Sequence, residues 1–225
     1  MTRWLIVGAV LACAEQARAA HVYGTLLWID DAPAFPARWC EGMHTDTPGL
    51  ADVVVIAEPL DPAARDHLLA RHSDDHAELE WDENRALRVA TVSPRDAIDI
   101  RNETGRELSL RVSGGGRLLE TVKAPPSGTI TLSGLPAGLV HIVSDASVEG
   151  WVYVTPFPAT VTTGNCRYSF DVPAGRYRVR GWHPYAGERS ITVAVSSQEQ
   201  SVVSWEHAAN HGRLGPLVFD RQRQR

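Results

Sequence analysis

The chain has 225 residues, with 22 Lys and Arg against 27 Asp and Glu and a formal net charge of −5. An acidic balance excludes a general nucleic-acid binder, which needs a basic face. The length suffices for one large β-domain or two small ones.

The first stretch, MTRWLIVGAVLACAEQARAA, places one basic residue, Arg3, before an apolar run from Trp4 to Ala14. Ala17-Arg18-Ala19 then supplies the small-x-small pattern that a signal peptidase accepts. Residues 1–19 are therefore expected to be a secretory signal, and the mature chain to be periplasmic or secreted. A rival reading takes Val10 to Cys13 as a lipoprotein box, with Cys13 as a lipid-bearing terminus. Leu11 and the very short leader count against it. Later residues hold no long apolar run, so no transmembrane span is expected after the leader. Loss of Arg3, Glu15 and Arg18 makes the remaining charge more negative. Cleavage leaves Cys40 and Cys166, and an even pair in an exported chain predicts a disulfide. A bridge over so long a loop would contribute roughly 2–4 kcal/mol.

HVYGTLLWID reads as the first strand, and DAPAFPARWCEGMHTDTPG, rich in Pro, Gly and Asp, as a loop. ADVVVIAEPL reads as a buried strand. DPAARDHLLARHSDD is the convincing helix, about Asp61 to Arg71. Asp61 sits at the N-cap, Pro62 in the first turn, and Leu68 and Leu69 form the apolar stripe. Everything after it predicts strands. Leu79 and Trp81 alternate, DAIDIRNETGRELSLRV holds two strands around NETG, and VHIVSDASVEGWVYV is a strand, a polar loop and a strand. Tyr168 and Phe170 alternate, PAG turns, and Tyr177 and Val179 alternate back. Short strands with Pro/Gly turns at close spacing predict an all-β sandwich or barrel. The basic tail RQRQR reads as a frayed, solvated end.

The ordered landmarks GTLLWID, ADVVVIAEP, RNETG, SDASVEGWVYV, TPFPA and VPAGRYRVRGWHP together resemble a family of exported methylamine-utilisation or plastocyanin-like proteins. VPAGRYRVRGWHP is the most specific of them. In that family a carboxypeptidase-regulatory-like β-sandwich is interrupted by an inserted cupredoxin-like Greek-key β-domain. The resemblance implies a signal peptide over 1–19, the first part of the regulatory-like sandwich over 20–59 and a helical linker over 60–86. The cupredoxin-like domain follows over 87–156, the second part of the sandwich over 157–207, and a tail over 208–225.

It also implies where copper ligands belong. The family's cupredoxin part carries one His after an Asn-x-Asp turn and a Cys-x-x-His-x-x-Met run before its last strand. Aligned on Asn102 and on WVYV, those four positions fall on Leu108, Ser144, Ser147 and Gly150. Type 1 copper needs a thiolate, two imidazoles and usually an axial thioether, and none of the four residues supplies one. From Val89 to Pro156 there is no Cys, no Met and one His, His141. The expectation is a cupredoxin-like domain that has lost its copper, with no cofactor and no metal ligand assigned.

Other constellations remain open. His72 and His76 stand at i, i+4 beyond His67, a spacing that can hold zinc or copper on one helical face, or simply a solvated helix end. Cys40, Met43 and His44 with Cys166 could hold Cu(I) or zinc, against the simpler disulfide. A processed His21 terminus could chelate copper. His183 in GWHP reads as structural, hydrogen-bonded at a strand end. No G-x-S-x-G, phosphate loop or dinucleotide fingerprint is present, so no enzyme is expected. The leading reading is an exported, non-enzymatic binding protein whose partner is an envelope protein or a glycan. Trp39, Trp151, Phe157 and Trp182 are candidate contacts, although Trp is as often core. The alternative is a copper protein for electron transfer or copper handling that uses Cys40, His44, His72 and His76.

Overall fold

The computed structural model of the protein describes residues 20–28, 51–70, 77–82, 87–145, 148–162, 166–196, 201–202 and 205–207. In chain order the elements are β1 (Ala20–Trp28), β2 (Val54–Pro59), α1 (Pro62–Ala70), β3 (Ala77–Trp81), β4 (Leu87–Val92), β5 (Ile98–Asn102), β6 (Leu108–Gly114) and β7 (Arg117–Ala124). They continue with β8 (Thr129–Leu132), β9 (Gly138–Ser144), β10 (Glu149–Val154), β11 (Ala159–Val161), β12 (Arg167–Val172), β13 (Gly175–His183), β14 (Gly187–Val195), β15 (Ser201–Val202) and β16 (Trp205–His207). The all-β class with one short helix follows the expectation.

The central segment forms an eight-stranded sandwich. A five-stranded sheet in the order β4-β10-β9-β6-β7 faces a three-stranded sheet β3-β5-β8. β10 runs parallel to β4 and β3 parallel to β5, while the other neighbours are antiparallel. Two facing β-sheets of this kind make the β-sandwich expected of the segment. Alternation makes it. Leu108, Leu110 and Val112 of β6, and Val140 and Ile142 of β9, point inward onto Leu79, Trp81, Ile98 and Ile100. Period-two burial of this kind is what a strand with one covered face requires. β3 extends this unit back to Ala77, into the segment assigned above to a linker. Leu79 and Trp81 supply the apolar positions that hold it there.

The flanking segments form a second sandwich. β12-β1-β15, with β16 also on β1, packs against β11-β2-β13-β14. Val22, Tyr168, Phe170 and Val172 from one sheet meet Val55, Ala57, Tyr177 and Val179 from the other, and Ala64 and Leu68 of α1 cover the same core. Leu69, expected in that apolar stripe, is 44% exposed. β2 shows no alternation because both its faces are covered. Val53, Val55 and Ala57 face this core, while Val54 and Ile56 turn the other way onto Tyr153 and Trp182. The four sheets are thus stacked, with three apolar layers between them.

Two apparent hairpins in the sequence are arches instead. β12 pairs with β1, whereas β13 pairs with β2 and β14. The Pro-Ala-Gly turn therefore carries the chain across the core from one sheet to the other. Its fixing bond is Tyr177 Oη donating to Pro173 O at 2.8 Å. Burial and the nearby Asp61 charge push the Tyr177 phenol up to about 12. β5 and β6 likewise lie in different sheets, joined by the NETG turn. Asp61 departs from a simple N-cap. Its carbonyl accepts from Arg65 N, which starts α1, but its carboxylate reaches Arg176 on β13, at 2.6 Å from N and 3.2 Å from Nε. The Arg176 backbone N–H holds the Asp61 carboxyl below its ordinary value.

Candidate functional site

The candidate metal positions gather at one end of the central sandwich, where β9 ends and β6 and β10 begin. Leu108 opens β6, is 1% exposed and packs in the core. Ser144 closes β9 and faces inward. Gly150 lies on β10 beside Ile142 of β9 and Arg88 of β4. Ser147 lies outside the described residues.

Ser144 answers for the short loop. Its N donates to Val148 O at 3.0 Å, and its Oγ accepts from Val148 N at 3.2 Å. These bonds close the turn between β9 and β10, a usual task for a serine hydroxyl. Gly150 has a different reason to be small. A Cβ there would lie 2.8 Å from Trp81 Cζ3 and 3.0 Å from Cη2. The Trp81 ring fills the space that a longer side chain would enter. Its own position is held by Arg88, whose guanidinium lies 5.3 Å from the ring centroid. Arg88 is buried, donates from Nε to Glu80 O and from Nη2 to Asp82 O, and pairs with the Asp82 carboxylate at 3.3 Å. A buried arginine needs such partners.

Asn102 completes this end. Its Nδ2 donates to Arg106 O (2.8 Å), Ala124 O (3.1 Å) and Pro125 O (2.8 Å), and its Oδ1 accepts from Thr104 N and Thr104 Oγ1. One buried amide thus joins the β5–β6 turn to the end of β7. The β6 and β9 loops meet through Asp145 N donating to Ser109 O at 3.1 Å, with Arg106 and Asp145 paired at 3.8 Å.

The remaining candidates are dispersed. Cys13, Trp39, Cys40, Met43, His44, His72 and His76 lie outside the described residues. His67 is exposed on α1. Cys166 is fully buried and disulfide-bonded, its partner lying outside the described residues. The backbone of His21 pairs with Asp171 in the first sheet. His183 accepts at Nδ1 from Tyr185 N and Ala186 N, both at 3.3 Å, which closes the β13–β14 turn as expected of a structural ring. Among the described residues no group of three or more His, Cys, Asp and Glu is placed to hold a metal ion.

One cluster escaped the sequence. His141 points away from Ser144's face of β9, into the seam between the sandwiches. It stacks on Trp151 with centroids 3.9 Å apart and planes 14° off parallel. Its Nε2 is 3.6 Å from Glu149 Oε2, the same oxygen that accepts from Tyr185 Oη at 3.3 Å. Trp151 and Tyr153 meet Trp182 edge-on at 5.6 and 6.1 Å. Trp182 is 7% exposed and Trp151 half-buried, so these two aromatics join the sandwiches and are not free contact residues. Phe157 is half-buried, with Arg65 lying over its ring at 5.3 Å. The hint was the i, i+2 spacing of Trp151 and Tyr153 opposite His141, which marks a second covered face of the sheet.

No protein-family description and no curated protein matches the chain. Among solved structures, a single-residue mutant of amicyanin determined with Cu(I) is matched at a TM-score of 0.29 and 12% identity, over 45% of this chain and 98% of that one. The residues at this end do not fit type 1 copper. Leu108 carries no donor atom, the Ser144 hydroxyl is committed to its turn, Gly150 has no side chain, and His141 is on the opposite face of its strand.

Proposed function

We propose that the protein is an exported, non-enzymatic binding or accessory protein whose cupredoxin-like sandwich carries no type 1 copper. The observation that carries this reading is the Trp81 ring against Gly150, held by the buried Arg88, where the family resemblance would put an axial thioether. Export, the leader and the Cys40–Cys166 disulfide belong to the same proposal and rest on the sequence. So does the assignment of the flanking sandwich to a carboxypeptidase-regulatory-like unit. Its support is the discontinuous layout, in which β1 and β2 precede the central sandwich and β11 to β14 follow it.

The test is metal analysis of the purified protein with a Cu(I)/Cu(II) titration followed by absorption. The expected result is no stoichiometric copper and no thiolate-to-copper charge-transfer band. An intense blue protein overturns the proposal. Copper bound without that band supports instead a copper-handling role through His44, His72 or His76.

A further inference from the structure

β14 ends the sheet β11-β2-β13-β14, and among the described strands β13 alone pairs with it, along all nine of its residues. The ladder closes on the turn at His183 and Gly187. Gly187, Arg189, Ile191, Val193 and Val195 therefore exchange main-chain bonds with β13, because an antiparallel ladder uses alternate residues. Glu188, Ser190, Thr192 and Ala194 turn their N–H and C=O groups to the outer edge. Arg189 Nη1 covers Glu188 O at 3.1 Å. From Ser190 onward the edge is bare among the described residues. We propose that two copies of this chain join along it, β14 antiparallel to β14, about a two-fold axis at Thr192.

The composition of this edge sets it apart. Folded proteins blunt an exposed edge with charge, proline, a bulge or brevity. β7, the other long edge, carries exposed Arg117, Glu120 and Lys123, and the β6–β7 register shifts between Val112 and Ser113. β3 carries Glu78 and Glu80, and β8 and β11 have only four and three residues. β14 has none of these devices from Ser190 to Val195. That stretch, SITVAV, holds no charge, no proline and no glycine. A bare edge of high β-propensity is a template for another strand.

A second copy fits this edge without conflict. With the axis at Thr192, that residue faces Thr192 of the other copy, Ser190 faces Ala194, and Ile191 faces Val193. Opposite residues share a side of the sheet. The outer side then brings together small side chains that are exposed in the single chain. On the inner side, Ile191 and Val193 are only partly buried against the flanking core, and each gains cover from the other copy. The chain has a net charge of −5, yet SITVAV sets no like charges against each other. Arg178, opposite Thr192 on β13, is already paired with Glu58 at 3.8 Å. A register nearer the turn would need Glu188 O, which Arg189 covers. The dimer is independent of the metal-free reading of the central sandwich.

The experiment is sedimentation velocity of the purified protein from about 1 to about 500 μM, with hydrogen exchange of the β14 amides. One strand pair is a small interface, so a dimer with a dissociation constant of about 10–100 μM is expected. The amides of Ser190, Thr192 and Ala194 should be protected in the dimer and lose protection on dilution. Thr192→Lys and Thr192→Glu each set like charges at the axis and should raise the dissociation constant about tenfold or more, with the thermal midpoint of the monomer unchanged. An equimolar mixture of the two variants should restore the dimer. Protein that stays monomeric across the range overturns the proposal. So does a dimer that persists in both variants, or a mixture of the two that stays monomeric. A monomer whose three amides resist exchange also overturns it, because the chain's own residues would then cover the edge. A blue copper protein that dimerises in this way overturns the functional reading and leaves the dimer standing.

Discussion

Gly150→Ala is the sharpest probe of the sealed sandwich end. The new methyl carbon would sit 2.8 Å from Trp81 Cζ3 and 3.0 Å from Cη2, inside van der Waals contact. A ring tip can yield where its side chain is free, but Trp81 is 1% exposed and has the Arg88 guanidinium beside it. Arg88 in turn is fastened to Glu80 O and Asp82. Overpacking against a held neighbour costs about 1–3 kcal/mol. For a chain of this size that lowers the melting midpoint by about 2–12 °C. The assay is urea denaturation followed by tryptophan fluorescence, in two backgrounds. In the wild-type background the midpoint should fall. In a Trp81→Leu background, itself less stable, the added cost of Gly150→Ala should shrink to within about 0.5 kcal/mol of zero. An equal cost in both backgrounds, or no cost in the first, would refute the contact and with it the account of why this position is glycine.

Three further substitutions test the supports around that end and across the second core. Tyr177→Phe removes the bond to Pro173 O and should cost about 1–2 kcal/mol in the same assay. Asn102→Ala leaves Ala124 O, Pro125 O and Arg106 O without their shared donor and should cost about 3–5 kcal/mol. Asp61→Asn should alter the acid limb of the stability–pH curve. The Asp61 carboxyl titrates below its ordinary 3.8 in the folded chain. Its contribution is therefore complete above that value and is lost as pH falls through the lower folded one. The Asp61→Asn variant should lack this component, and an unchanged acid limb would contradict the Arg176 contact.

The sequence made the strands legible because their apolar residues alternate, and the helix because Asp61-Pro62 opens it. Strand partnership was less legible. Pro173-Ala174-Gly175 between two alternating segments reads as a hairpin, yet both segments carry inward aromatics, Tyr168 and Phe170 before it and Tyr177 after it. Two apolar faces meeting across one core require an arch between sheets, and nothing local distinguishes that from a hairpin. The partner of β3 was hidden for a similar reason. Its pairing with β5 spans about twenty residues, and parallel pairing leaves no turn signature. At the four positions that the resemblance aligned with copper ligands, the residue types showed that no copper donor of the expected kind is present. They did not disclose what packs there, because Arg88 lies far from Ser144 and Gly150 in sequence and meets Gly150 only through strand register.

The packing at this end bears on how its loops are held together. A bound ion contributes folding free energy by tying together loops that otherwise part. The loops at this end are those after β5 and after β9, and here side chains tie them. Asn102 holds the first to the end of β7, Ser144 closes the second, and Asp145 joins the second to β6. Trp81 and Arg88 fill the volume between them. Restoring donors one at a time, as in Ser144→Cys, would remove a turn bond without opening room for an ion. Room requires Trp81 to leave, and its departure would take from the buried Arg88 guanidinium the ring it packs against. The end is thus built around a tryptophan and a buried arginine, and any metal site engineered there would have to displace both together.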